Sequence, residues 1–309
     1  MTAPTPPAAT PRGSGNIYDL GYQGYDGPRL GRLPVTRSLL AMTLRAAYGI
    51  GRGGRAKIAP FTLLVVNCLP ALLAVGIAAL AAQAGAGNEL SEASPIRHET
   101  YQGLTSTLVM LFCAAQAPEL FGRDQRYGVL PLFFSRVLTR SDYAIARTAG
   151  LFLAILVISI LPQLILTAGG IFAAPDPVTG LRDEFDAIPR YLVVTILAAA
   201  LLGGVSAVIA AWTPRRAYAT ATIIAVFIVP PIIVQIVSTR SLGDVSRVLL
   251  LASPADLIDG LNAAVFGTLP DSPAVLAADL PGWVFVVAVL AGAALCVAAI
   301  LRRYQKIDA

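Results

Sequence analysis

Residues Ile58–Ala82 read IAPFTLLVVNCLPALLAVGIAALAA, a run without a single charge whose strongest polar interruption is Asn67. The hydrocarbon core of a bilayer takes about 20 apolar residues as a helix. A barrel strand would alternate apolar and polar residues at period two, and this run does not. It is therefore read as a membrane-spanning helix. Similar runs follow at 101–121, 148–172, 190–213, 217–238 and 282–301, which predicts an all-α, polytopic bundle of six spans. Composition agrees. The 309 residues are 56% hydrophobic and 13% charged, with mean hydropathy +0.71. That is half the charge of a soluble chain, which carries roughly 25%. Such a surface needs lipid, which excludes a soluble enzyme. With 7% aromatic residues, a stacking surface for bases is not expected, nor is a nucleic-acid partner.

The stretch before the first span is polar, Pro-rich at its start and carries eight basic side chains. That is the reverse of a short basic region followed by an apolar one, so no cleavable signal is expected and the tail should stay cytoplasmic. Six spans then return the C-terminus to the same side. This topology places 18 basic and six acidic residues inside, against five basic and twelve acidic outside. The positive-inside rule is strongly satisfied. The net charge of +5 is thus the average of an inner +12 and an outer −7. A multi-pass protein of the cell membrane with both termini cytoplasmic follows.

Four regions result. Residues 1–34 form a tail, disordered over 1–14 and ordered but irregular over the Tyr/Gly-rich 16–34, whose tyrosines either dock a partner or sit at the headgroup level. Residues 35–57 hold an elbow helix in the membrane interface, with Leu39, Leu40 and Leu44 on one side and Gly51, Gly53 and Gly54 ending it. Residues 58–302 form the six-span domain, and 303–309 the cytoplasmic end. Outside, 83–100 and 173–189 read as plain connections. Ser253-Pro254-Ala255-Asp256 instead reads as a helix start, with Ser as N-cap, Pro in the first turn and an acid at the positive dipole end. It begins a short outer helix, interfacial or re-entrant, before the last span.

Catalytic signatures are missing. No GxxxxGK[ST] phosphate loop occurs, His98 is the only histidine and falls in an outer loop, and neither HExxH nor CxxC appears. Cys68, Cys113 and Cys296 lie in apolar runs and behave as small hydrophobes. No enzymatic activity, metal or cofactor is expected of this chain. Charges within spans are scarce too, which disfavours an ion-coupled transporter. Asn67, Gln116, Gln163 and Gln235 are the main polar side chains there. Two readings stand for them, a translocation path and hydrogen bonds between neighbouring helices, with packing the favoured one.

The segment after the second span is the informative one. It runs Pro118-Glu119-Leu120-Phe121-Gly122-Arg123-Asp124-Gln125-Arg126-Tyr127-Gly128-Val129-Leu130-Pro131-Leu132 and continues to Tyr143. A charged turn, an apolar piece and a basic entry to the next span describe a short helix along the inner membrane surface. Glu119 reaches Arg123 one turn later. The bland alternative is a basic loop held by anionic headgroups.

The run from Glu119 to Arg147 resembles the stretch that marks type-2 ABC exporter permeases. There a glutamate at the end of the second span precedes a "G–x–L–x–LL–x–x–P–x–x–R" segment. Arg126 to Leu132 matches the first part, and Leu138-Thr139-Arg140 the last, without its proline. Tyr18 to Tyr22 and Tyr25 to Arg32 are similar to an actinobacterial branch of these permeases. The resemblance implies two membrane subunits, identical or similar, working with two separate cytoplasmic ATPase subunits. It implies that Arg123, Asp124, Gln125, Arg126, Tyr127 and Gly128 form a coupling helix in a groove of the ATPase, braced by Glu119. A membrane scaffold recruiting a partner through its tail is the main rival, and a secondary transporter the weaker one.

Overall fold

The computed structural model describes residues 27, 31–83, 96–134, 138–174, 176–239 and 243–306. The expectations for residues 1–26 and for most of the 83–100 connection lie outside them. Gly31–Ala309 forms one unit. Among the described residues every regular element is helical. Six helices are long and apolar enough to cross a membrane, which makes this a multi-pass membrane protein.

The elements, in chain order, are α1 (Arg32–Ala47), α2 (Arg55–Gln83), α3 (His98–Ala117), a π-helical turn (Pro118–Gly122), α4 (Arg123–Arg126), α5 (Leu130–Phe134), α6 (Arg140–Ala173), α7 (Pro177–Phe185), α8 (Ala187–Trp212), α9 (Arg216–Ser238), α10 (Gly243–Leu251), α11 (Pro254–Phe266), α12 (Pro273–Ala278) and α13 (Gly282–Gln305). About half of α3, α6 and α8 is buried inside the chain, against 17% of α2, α9 and α13. The first three are the core of the bundle, and the other three turn broad faces of Leu, Ile and Val outward, among them Leu72, Ile232 and Leu290.

The elbow forms α1, whose Leu39, Thr43 and Ala47 are buried and which packs along α6. After it the chain reverses at Gly49, in the left-handed region at φ 66°, where a Cβ would lie 2.5 Å from the Ala56 carbonyl oxygen. Only glycine fits that approach.

One span limit and one connection need correction. The third span begins at Arg140, eight residues before the hydropathy limit. Its start is set by capping chemistry: Thr139 Oγ1 accepts the Asp142 N–H at 3.2 Å and Asp142 accepts the Thr139 N–H at 3.2 Å. Charges at 140, 142 and 147 lower hydropathy without disturbing a helix, so a hydropathy limit stops short. The connection 173–189 is also no plain loop, because α7 occupies most of it.

The Ser253 start is as expected. Ser253 Oγ accepts the Asp256 N–H at 3.4 Å, Pro254 opens α11, and Gly267 ends it at φ 73°. The helices α10 and α11 meet at 90° as a broken pair. Leu257, Ile258 and Leu261 are buried, and α11 packs on α13, α8, α9 and α3. It is inserted among the spans at the end of the bundle opposite the arginine-rich one.

Candidate functional site

Pro118 begins the site. A proline offers no N–H, so the carbonyl four residues earlier loses its helical partner. That carbonyl, of Ala114, accepts the Thr220 hydroxyl of α9 at 3.0 Å. Backbone groups freed inside an apolar bundle persist only where a neighbour supplies such a bond. The helix widens into the π turn Pro118–Gly122 and continues as Arg123–Arg126, so the second span and the charged turn are one continuous body.

Glu119 sits in the π turn, with its side chain 19% exposed. Its carboxylate faces Arg52 at 2.8 Å, Arg216 at 3.5 Å and Arg123 at 3.8 Å. The Arg123 contact is the one-turn pairing expected from sequence. The other two come from the turn after α1 and the start of α9, so one carboxylate ties three segments. Partial burial lowers the Arg52 guanidinium below its usual range, and Glu119 acts in the opposite direction.

Asp124 lies one turn further and points inward. It accepts the Tyr143 hydroxyl at 2.7 Å and pairs directly with Arg147. Arg147 is 4% exposed, stacks over the Tyr143 ring at 5.3 Å and donates to Thr43 of α1 at 3.4 Å. Two charges removed from water hold together best where their remaining polar atoms find partners; α1 and α6 supply some of them, while Arg147 Nε is buried with no partner among the described residues. Gln125 continues the anchoring. Its amide donates to the Ala211 carbonyl near the end of α8 at 3.1 Å and to the Tyr304 hydroxyl of α13 at 3.2 Å. The fully buried rings of Tyr143 and Tyr304 meet at 5.3 Å.

The stretch 123–128 therefore has two faces. Asp124 and Gln125 spend their polar atoms on the bundle. Arg123, Arg126, Tyr127 and Gly128 are exposed, with Arg126 over the Tyr127 ring at 5.5 Å. Gly128 turns the chain at φ 63° into α5, whose Phe133 and Phe134 pack on Tyr143. The result is a cationic, aromatic knob on a root of buried ion pairs and hydrogen bonds.

The four polar side chains of the spans do not converge through mutual hydrogen bonds. Asn67 is fully buried and donates to the Ile158 carbonyl at 2.8 Å. That carbonyl lost its helical partner to Pro162, so Asn67 repairs α6 from α2. Its own backbone carbonyl accepts the Tyr101 hydroxyl of α3. Gln163 is buried next to Pro162 in α6, and its Oε1 lies 2.6 Å from His98 Nδ1. Gln116 is buried in α3, and Gln235 is half-buried in α9. Both Asn67 and Gln163 thus bond a neighbouring helix, as the packing reading expects.

His98 is corrected from a loop residue to the first residue of α3. Its Nε2 lies 2.9 Å from Glu184 of α7, and its ring stacks on Tyr191 of α8 at 5.1 Å. Sequence reasoning missed Arg147, Arg52 and Arg216 as parts of the site. For Arg147 a signal existed, since it follows Tyr143 by one turn on a helix that carries no further charge. A charge at that depth needs a partner. Arg52 and Arg216 carry no such signal.

No family model matches the chain, and no curated protein matches it either.

Proposed function

We propose that this chain is the membrane-spanning subunit of an ATP-driven exporter of the type-2 ABC kind, with its arginine-rich end in the cytoplasm. In this reading the chain pairs with a second permease subunit, and ATP is hydrolysed on separate ATPase subunits. The knob Arg123–Gly128 docks in the ATPase, and movement of the ATPase tilts the spans. The observation that carries the proposal is the rooting of the knob. It continues α3 without a break and is joined through Glu119, Asp124 and Gln125 to the segments leading into α2 and α9, to α1 and α6, and to the ends of α8 and α13. A push on one exposed turn would reach the whole bundle, because rigid elements linked by ion pairs move together. Rim charges such as Arg123 and Arg126 suit steering and register at a protein interface.

The test is purification from native membranes in mild detergent. A stoichiometric ATPase should co-purify with the wild-type chain and be lost on combined R123E and R126E substitution, with membrane insertion unchanged. Recovery of the chain alone, or with a partner that is not an ATPase, overturns the proposal. A partner lost on deleting residues 1–34 but retained by the charge-reversed chain would instead mark a scaffold working through its tail.

A further inference from the structure

Between α6, α8 and α13, at the arginine-rich end, a groove of about 420 Å³ opens toward the lipid side. Ala144, Thr148, Gly204, Ala293, Val297 and Leu301 line it. Gly204 forms its floor, where a Cβ would lie 2.8 Å from Cβ of Cys296, so α8 and α13 touch there. Small residues on three helices leave a channel that larger ones would fill. Thr148 adds little polarity, because its hydroxyl donates to the Ala144 carbonyl at 2.8 Å and is spent within its own helix.

One helical turn beyond the lining residues Ala144 and Leu301 lies a polar clamp. Arg140 Nη1 donates to the Gln305 carbonyl at 3.0 Å, and Gln305 Nε2 donates to Ser141 Oγ at 3.4 Å. The guanidinium also lies over the Phe134 ring at 5.9 Å. Arg147, Arg52 and Arg32 each face a carboxylate, and Asp142 beside the clamp is taken by Arg32. Arg140 meets no carboxylate among the described residues. An arginine with donors to spare is suited to a phosphate.

Length decides what fills the groove. From Leu290 to Leu301 it follows twelve residues of α13, a rise of about 16 Å at 1.5 Å per residue. That is half of a hydrocarbon core of about 30 Å, the depth of one leaflet. A helix of a second copy would need a seam along the full length of α13, which runs on to Gly282. The groove stops halfway.

We propose that this groove binds one acyl chain of an anionic phospholipid, with the phosphate seated against Arg140 at the mouth. Basic side chains between spans at a cytoplasmic boundary are suited to such headgroups. The site needs no ATPase and stands independently of the exporter reading.

The test uses the purified full chain in nanodiscs of equal parts phosphatidylglycerol and phosphatidylcholine with identical chains. Native mass spectrometry then counts the retained lipid. One lipid per chain is expected, with phosphatidylglycerol preferred about fivefold, the ratio for a single basic side chain at an anionic surface. R140Q should bring the preference to parity with lipid still bound. A294F and V297W each fill the groove and should lose the lipid. Val297 is 42% exposed, so V297W leaves the core intact even if A294F fails to fold. Equal retention of both lipids by the wild type overturns the proposal, as does retention unchanged in the filled variants, which marks annular lipid only. A dimer without lipid that V297W dissociates would assign the groove to a second copy.

Discussion

At the arginine-rich end of the bundle, Glu119 and Asp124 join segments far apart in the chain. At the opposite end Asp256 and Asp259 reach only the loop after their own helix, while Glu184 spans 86 residues to His98. Asp259 accepts the backbone N–H groups of Asp271 and Ser272 at 3.1 and 2.9 Å, and Asp256 accepts the Ser272 hydroxyl at 3.1 Å. Glu184 closes on His98, and Asn262 caps the Glu99 carbonyl at 2.6 Å. There, charge serves to fold connections between spans and fix α11 among them. At the first end, the carboxylates are half-buried anchors, and Arg123 and Arg126 are exposed.

The sharpest way to break this contrast is at the buried pair. R147M leaves the Asp124 carboxylate without its cation in a closed site and should cost about 3–5 kcal/mol of stability in detergent unfolding. D124N with R147M should recover most of it, because both charges are then gone. Similar losses in single and double variants would show that Arg147 stabilises by packing rather than by pairing.

At the opposite end, H98A should cost about 1–3 kcal/mol by leaving Gln163 and Glu184 without their shared partner. A thermal midpoint unchanged by H98A would remove the histidine as the link between α3, α6 and α7.

Between the two ends, N67L should cost about 1–2 kcal/mol by stranding the Ile158 carbonyl. In a P162A background the backbone N–H returns and the same substitution should cost less. An equal cost in both backgrounds would break the link between Asn67 and Pro162. The smallest effect belongs to the rim. Arg32 is 56% exposed and its Asp142 bond raises its proton affinity. R32A should nonetheless change stability less than any of the other three substitutions, and less still at high salt.

Much of the architecture was legible in the sequence. The six spans appear as six long apolar runs, α11 through its Ser253-Pro254 start, and Glu119 with Arg123 through their one-turn spacing. These signals are local, since hydropathy, caps and one-turn pairs depend only on neighbouring residues. The third span was cut short because its first turns are polar on a face that turns inward. The stretch 123–128 read as one charged surface, since sequence does not say which side of a short helix meets the bundle.

What the sequence determined by itself is where the chain crosses the membrane, which end carries the positive charge, and where prolines interrupt spans. What only the tertiary structure decided is how each interruption and each charge is satisfied. The Ala114 carbonyl freed by Pro118 is answered by Thr220 across 106 residues, the Ile158 carbonyl freed by Pro162 by Asn67 across 91, and Asp124 by Arg147 on another helix. The reason is geometric. A proline states that a carbonyl has lost its partner, but the replacement must come from whichever helix packs on that side.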